Sequence, residues 1–285
     1  MKKILITGSN SYIGLSLNHW LVHDPTDYSV EFISLRDELW KEKDFSAYDV
    51  IFHAAGIAHV STDPGMESQY YKVNRDLTIE VAKKAKSERV KQFIFMSSII
   101  VYGDGSNSLK LIDRNTIPSP SNFYGRSKLQ AEEAILPLQN DSFRVAVLRP
   151  PMIYGKGSKG NYSRLSNMAR KSPVFPDVDN MRSMLHIDNL CKFLKSIIDF
   201  EESGLFFPQN REYVRTSEMV RLIAESHGRN IRLIKGFSTL LKLLATKNGI
   251  INKLFGNLVY EQSMSDYRID YAIRDLKNSI EMTER

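Results

Sequence analysis

A tyrosine and a lysine stand four residues apart in Phe123-Tyr124-Gly125-Arg126-Ser127-Lys128, which puts both on one face of a helix, one turn from each other. A phenol ordinarily ionises near pH ~10, so a tyrosine exchanges protons near neutrality only with help. A neighbouring ammonium gives that help by favouring the phenolate. Alone, Tyr-x-x-x-Lys is a weak pattern, equally the mark of a surface tyrosine beside a solvated lysine. It becomes chemistry when a cofactor, a further polar group and a substrate pocket surround it. Ser97-Ser98, closing the apolar run Gln92-Phe93-Ile94-Phe95-Met96, offers the polar group. A hydroxyl at the carboxyl end of a buried parallel strand stands where doubly wound sheets bind ligands.

The elements that must hold these residues begin at the N-terminus. Lys3-Ile4-Leu5-Ile6 reads as a strand, Thr7-Gly8-Ser9-Asn10-Ser11-Tyr12-Ile13-Gly14 as a turn, and Ile13, Leu17, Trp20 and Leu21 recur at helical spacing. Strand, glycine-containing turn and helix together aim backbone N–H groups and a helix N-terminus at a pyrophosphate. A second strand, Val30–Leu35, ends beside Ser34, Arg36 and Asp37. An acidic residue there holds a ribose 2′-hydroxyl and favours NAD, whereas an arginine favours NADP, so the cofactor choice stays open. The short crossover that follows carries Asp44-Phe45, expected beside the adenine. Asp49–Gly56 is a third strand whose small residues Ala54 and Ala55 leave room for a cofactor against the backbone.

Val73, Leu77, Val81, Ala82 and Ala85 predict an amphipathic helix to Lys86, with Asn74 near its start. Pro118-Ser119-Pro120-Ser121-Asn122 delivers the chain into the Tyr124 helix, which runs to about Leu136. Phe143–Leu148 is another buried strand. Strand–helix alternation up to this point predicts an α/β fold, a doubly wound parallel sheet of Rossmann type. Beyond Gly155 the texture changes to a basic loop, Lys156–Asn161, and shorter elements. The expected division is a dinucleotide-binding domain over 1–155 and a smaller, mainly substrate-binding lobe over 156–285, some of whose segments return to the sheet. Leu240–Phe255 is amphipathic and basic, with Lys242, Lys247 and Lys253, a pattern open to a membrane-surface role but read as a helical pair covering that lobe. The polar tail after Glu261 is expected on the surface.

Composition narrows the function classes. In 285 residues, 42% hydrophobic and 25% charged, the chain has the make-up of a soluble globular protein. A net charge of +6 is mild and its basic residues are interspersed with acidic ones, which suits an anionic small molecule and does not indicate nucleic acid. The single cysteine, Cys191, excludes an internal disulfide and reads as a buried small hydrophobe. The apolar run after Met1-Lys2-Lys3 ends within three residues, too short for a signal peptide. No window approaches the ~20 apolar residues that span a bilayer. A cytoplasmic protein without membrane insertion is expected. His53 and His59 have no acidic or cysteine partner at ligand spacing, so no metal site is expected.

Four matches in order, Thr7-Gly8…Gly14, His53-Ala54-Ala55-Gly56, Ser97-Ser98 with Val101-Tyr102-Gly103, and Tyr124…Lys128, resemble the extended short-chain dehydrogenase/reductases of the NAD-dependent epimerase/dehydratase family. The likeness is to its UDP-glucose 4-epimerase-type members and spans roughly residues 3–200, with weaker correspondence beyond. It implies that Tyr124 transfers the proton, that Lys128 binds the nicotinamide ribose and lowers the phenol's pKa, and that Ser98 holds the reacting sugar oxygen. It also implies cofactor contacts at Gly8, Tyr12, Ile13, Gly14, Ala54, Ala55 and Asn74. Arg182, with His186-Ile187, resembles a segment whose arginine pairs with the nucleotide diphosphate, and Asn161 is a further substrate contact. A nucleotide-sugar substrate and a homodimer joined through the Asn74 and Tyr124 helices follow from the same likeness.

Two departures shape the expectation. Ser11 replaces the middle glycine of the family's Gly-x-x-Gly-x-x-Gly turn. Ile99-Ile100 occupy the place of the Asp-Glu pair with which dehydratases move water, and alkyl side chains do no acid–base work. The activity implied is 4-epimerisation of a UDP-sugar with tightly held NAD. A one-way 4-keto reductase using NADPH stands beside it, with Arg36 as its sequence hint. A non-catalytic dinucleotide-binding regulator is a third reading, against which Ser98, Tyr124 and Lys128 together argue.

Overall fold

Lys2–Thr7 (β1), Val50–His53 (β3), Gln92–Met96 (β4) and Arg144–Leu148 (β6) are apolar runs whose side chains are buried on both sheet faces, as parallel strands require. With Tyr28–Ile33 (β2) and Gly204–Phe206 (β10) they form a six-stranded parallel sheet in the order β10-β6-β4-β3-β1-β2. The structure, a computed structural model, describes residues 1–22, 27–58, 63–105, 111–236 and 254–285.

The chain runs outward from β1 to β2, then crosses back to β3 on the other side, so the strand order reverses between β1 and β3. Ligands bind outside the carboxyl ends of the strands at such a switch point. The register pairs Thr7 with His53 and His53 with Phe95, bringing Gly8, Ala54 and Met96 to one level. The β2–β3 crossover is short and holds only a 3₁₀ turn, Glu38–Lys41.

On one sheet face Leu5, Ile51, Phe93 and Val145 pack with Val81, Ala82 and Ala85 of Leu77–Ser87 (α3) and with Ala131 and Ile135 of Phe123–Ile135 (α4). On the other lies Tyr12–Leu21 (α1), so close that a Cβ on Gly14 would fall 2.8 Å from Ile6 Cγ2. The α3 region departs from the regular helix expected from Val73. Tyr71–Asp76 is a π-helical turn after a short helical segment, Glu67–Tyr70. Asn74 sits in this turn and clamps Ile57, accepting from its N–H at 2.8 Å and donating to its carbonyl at 3.0 Å. Such bulges recur at functional sites.

The contacts divide the chain into two units, one comprising Met1–Val101, Pro118–Pro150 and Leu190–Pro208, the other Tyr102–Ile117, Pro151–Asn189 and Gln209–Arg285. In the second, Asn161–Lys171 (α5) and Thr216–Ser226 (α7) share a core of Tyr162, Leu165, Val220 and Ile223 with Tyr154 and Phe175. Three two-stranded parallel pairs complete it: Met152–Tyr154 with Met184–His186, Val174–Pro176 with Arg232–Ile234, and Leu111–Ile112 with Val259–Tyr260.

The tail expected on the surface is built into this unit. Met264, Tyr271 and Ile280 are buried, and the C-terminal helix Leu276–Glu284 packs on α7. Ser279 meets the buried Tyr154 hydroxyl at 2.6 Å. Sparse apolar residues at the right spacing outweigh a polar average. Residues 240–253 of the expected basic helical pair, and His59, lie outside the described residues; Leu254 is buried and Phe255 packs on Phe175 with ring centroids 5.8 Å apart. Cys191 is buried, as expected of a small hydrophobe.

Candidate active site

Asn122 starts α4 by accepting the Gly125 N–H at 2.9 Å, one of the donors a helix start leaves unsatisfied. The helix then buries Phe123, Ser127, Lys128, Ala131, Glu132 and Ile135. A lysine and a glutamate thus lie on a face that periodicity assigns to the core. Tyr124 is half-buried, its ring edge-on to buried Tyr70 with centroids 5.8 Å apart. Burial pushes its phenol up to about 12; a hydrogen bond with the Ser98 side chain pulls it down, and Tyr70 raises it again.

Lys128 is 5% exposed. Its Nζ donates to the Met96 carbonyl at 2.9 Å and lies 4.6 Å from the centre of the Phe95 ring. Burial pulls the ammonium down to about 8, while the Glu132 carboxylate pulls it back up. The spacing argument expected this ammonium to favour the Tyr124 phenolate. In this arrangement it is aimed at Met96 instead, and the side chain that eases the phenol is Ser98. A Cβ on Gly56 would lie 3.1 Å from Asn74 Oδ1 and 3.2 Å from Lys128 Nζ, so the β3 end, the π-helical turn and α4 converge there.

The β1–α1 turn fits a dinucleotide in its backbone. Gly8 has φ +87°, and a Cβ on it would stand 3.1 Å from Ala55 Cα, so this left-handed, tightly packed position suits glycine. Ser11, in place of a glycine, is the N-cap of α1 and accepts the Gly14 N–H at 3.2 Å. Tyr12 and Ile13 open the helix whose positive end faces the carboxyl edge of the sheet. These groups would hold the pyrophosphate, with Ala54 and Ala55 beside them on β3. At the end of β2 the Asp37 carboxylate accepts from Leu39 N–H at 3.2 Å, capping the 3₁₀ turn, while Ser34 Oγ accepts from Arg36 N–H at 3.3 Å and Arg36 is exposed. Asp44 is exposed and turned to Ser46, 2.6 Å to its hydroxyl. Phe45, expected beside the adenine, has its ring wholly buried with Trp40 in the sheet core, because the short crossover needs an apolar anchor.

His53 is fully buried, and burial, with the Lys128 charge second, pulls its imidazole down to about 3, so it is neutral. Thr78 Oγ1 donates to the Asn74 carbonyl at 2.9 Å and must accept from His53 Nε2–H at 3.0 Å. Nδ1 is then the acceptor for Thr7 Oγ1–H at 2.9 Å. This one-way chain ties the ends of β1 and β3 to the π-helical turn at Asn74, which explains a histidine that the sequence left to packing.

Arg182 and Asn161 belong to the second unit. Asn161 is the first residue of α5, after Gly160 at φ 101°. Arg182 donates to the Gly256 carbonyl at 2.8 Å, and its buried Nε has no hydrogen-bond partner among the described residues. Burial pulls this guanidinium down to about 10, with Asp104 opposing. His186, by contrast, is a structural residue, its ring 5.3 Å from that of Tyr154. Among the described residues no cluster of three or more His, Cys, Asp or Glu could hold a metal ion, and no helix is long and apolar enough to cross a membrane.

Sequence reasoning passed over Glu132 and Arg149 and gave Ser97 no partner. Glu132 accepts from Ser97 Oγ and pairs with Arg149, Nε to Oε2 3.0 Å. The available signal was a glutamate one turn beyond Lys128 on an otherwise apolar stripe.

The NAD dependent epimerase/dehydratase family profile matches residues 4–206. UDP-glucose 4-epimerase of Vibrio cholerae is 31% identical over 250 residues, 78% of this chain and 75% of that protein. The fold is shared with a dTDP-4-dehydrorhamnose reductase from Clostridium acetobutylicum, TM-score 0.69 at 20% identity over 82% and 83% of the two chains. It is shared equally with UDP-glucuronic acid 4-epimerase from Bacillus cereus solved with NAD, TM-score 0.73 at 17% identity over 99% and 95%. The doubly wound sheet and its switch-point turn are those of an extended short-chain dehydrogenase/reductase. The chain belongs to the NAD-dependent epimerase/dehydratase family and is an NAD(P)-dependent enzyme.

Proposed function

We propose that this enzyme epimerises C4 of a UDP-sugar by transient oxidation. The observation that carries the reading is buried Lys128 at the carboxyl end of the central strand, donating to Met96 O one helical turn from Tyr124, whose phenol the Ser98 side chain eases. The nicotinamide, when bound, accepts and returns a hydride. Tyr124 Oη takes the proton of the sugar 4-hydroxyl and later gives it back, while Ser98 Oγ holds that oxygen in line. A phenol pushed up to about 12 does not ionise near neutrality unaided. Positive charge from Lys128, released from Met96 to the ribose, and from the oxidised cofactor would lower it. Gly8, Ser11, Tyr12, Ile13, Gly14, Ala54, Ala55 and Asn74 would hold the cofactor. Arg182, whose unpaired Nε suits an anion, would take the diphosphate, with Asn161 near the sugar. Ile99-Ile100, with no acid–base group, favour epimerisation over dehydration. Relatedness to the Vibrio cholerae enzyme supports the substrate class.

A second reading, NADPH-dependent reduction of a 4-keto sugar nucleotide, draws on the β2 end. There Asp37 is committed to a helical cap and Arg36 is exposed. Incubating purified protein with UDP-glucose and no added cofactor separates the two. Appearance of UDP-galactose supports the first. Inactivity there, with stoichiometric NADPH consumption on a 4-keto-6-deoxy sugar nucleotide, overturns it in favour of the second. A cytoplasmic homodimer joined through α3 and α4 belongs to the same proposal, and light scattering tests the pairing.

A further inference from the structure

Glu132 and Arg149 form an ion pair with side chains only 1% and 6% exposed. Arg149 Nη2 lies 2.5 Å from Glu132 Oε2, and Nε lies 3.0 and 3.2 Å from the two oxygens. Ser97 Oγ donates to Oε1 of the same carboxylate. One side chain of α4 thus grips the residue before Ser98 and the residue after β6. The backbone repeats the connection: Ser97 N–H donates to Leu148 O at 2.7 Å and Ile99 N–H to Pro150 O at 2.9 Å.

A buried ion pair is poor value as a fold stabiliser, because apolar residues of similar volume often serve as well or better. Its place is what singles it out. Glu132 follows Lys128 by one turn on the same buried face, and Tyr124 precedes Lys128 by one turn. The titratable and charged groups that act on Lys128 or feel its charge are Glu132 on α4 and neutral His53 on β3, with Arg149 beyond Glu132 at the end of β6 and Tyr124 one turn earlier on α4. Of these, Glu132 opposes the effect of burial on the ammonium.

We propose that Glu132 is a positioning residue of this site. Through Ser97 and Arg149 it fixes α4 against the ends of β4 and β6, and its charge keeps Lys128 an ammonium where the cofactor binds. The inference rests on the reading of Lys128 as a cofactor ligand.

Titrations of NADH and NADPH binding from pH 6 to 10, on wild type, Glu132→Gln and Glu132→Gln/Arg149→Met, test it. The double variant removes the whole pair, so it reports even where a lone buried arginine prevents folding. In the wild type, binding of the preferred cofactor weakens as pH rises through about 8, where Lys128 loses its proton. In Glu132→Gln that midpoint falls by about one pH unit, and in the double variant, which removes a cation along with the carboxylate, by less, while affinity at pH 6 changes about twofold or less in both. Glu132→Asp, which keeps the charge, restores the wild-type midpoint. A purely structural role would instead lower melting temperature and weaken binding equally at every pH, and an unmoved midpoint in a folded variant overturns this inference alone. A wild type that binds neither cofactor overturns the assignment of Lys128 beneath it and this inference together.

Discussion

Replacing Tyr124 by Phe removes one oxygen and little volume, so it separates proton transfer from packing. Turnover of UDP-glucose should fall by about 10²- to 10⁴-fold, the range of a lost general acid–base, while bound cofactor in the purified protein is unchanged. A Tyr124→Phe protein with full turnover would remove Tyr124 from the mechanism. His53 carries a different consequence. Its folded pKa of about 3 lies below the unfolded value of ~6.5. The unfolded chain therefore binds the extra proton, and the stability that neutral His53 contributes is whole above pH ~6.5 and drains as pH falls toward 3. Between pH 7 and pH 5 the loss is about 2 kcal/mol. Urea unfolding at the two pH values should show wild type losing that much more than His53→Gln. Equal losses would mean that His53 is charged in the fold.

At the scale of elements, the start of α4 is the sensitive point. Asn122→Ala deletes the cap on Gly125 N–H and should cost about 1 kcal/mol by denaturant unfolding, with Tyr124 still in place. Gly125→Ala is the more damaging change for activity. Its Cβ would stand 2.7 Å from the Ile100 carbonyl oxygen and 2.8 Å from Pro120 Cβ, so the first turn must back away from the strand end that carries Ser98. Turnover should drop at least tenfold more for Gly125→Ala than for Asn122→Ala at matched stability. The reverse ranking would show that the spacing between α4 and β4 does not govern the chemistry. Much at this scale was legible beforehand: the strands themselves, though β2 and β3 end two to three residues earlier than expected, the turn before α1 and the run of α4 follow from apolar periodicity and local caps. The π-helical turn was not, because an amide clamp between Asn74 and Ile57 leaves no mark on the spacing of Val73 and Leu77.

At the scale of the whole molecule, the C-terminal helix is an integral part of the second unit. Ile280 is fully buried beside α7, and Glu284 accepts from Tyr162 at 2.8 Å, Ser166 at 2.9 Å and His227 at 2.7 Å. Ile280→Ala should destabilise the protein by about 2–4 kcal/mol in urea unfolding, the cost of a cavity in a packed core. A loss below about 0.5 kcal/mol would be that of a surface residue and would return the helix to the periphery.

What the sequence determined by itself was local: which runs are strands, where the glycine-containing turn before α1 falls, and that Tyr124 and Lys128 share a face. These rest on interactions between residues a few positions apart, which spacing encodes. Tertiary structure alone decided that Lys128 reaches Met96, that Phe45 lies in the core, and that Glu132, Ser97 and Arg149 meet. A buried charge and its partner can come from distant parts of a chain, and nothing in the periodicity of either segment says which will face the other.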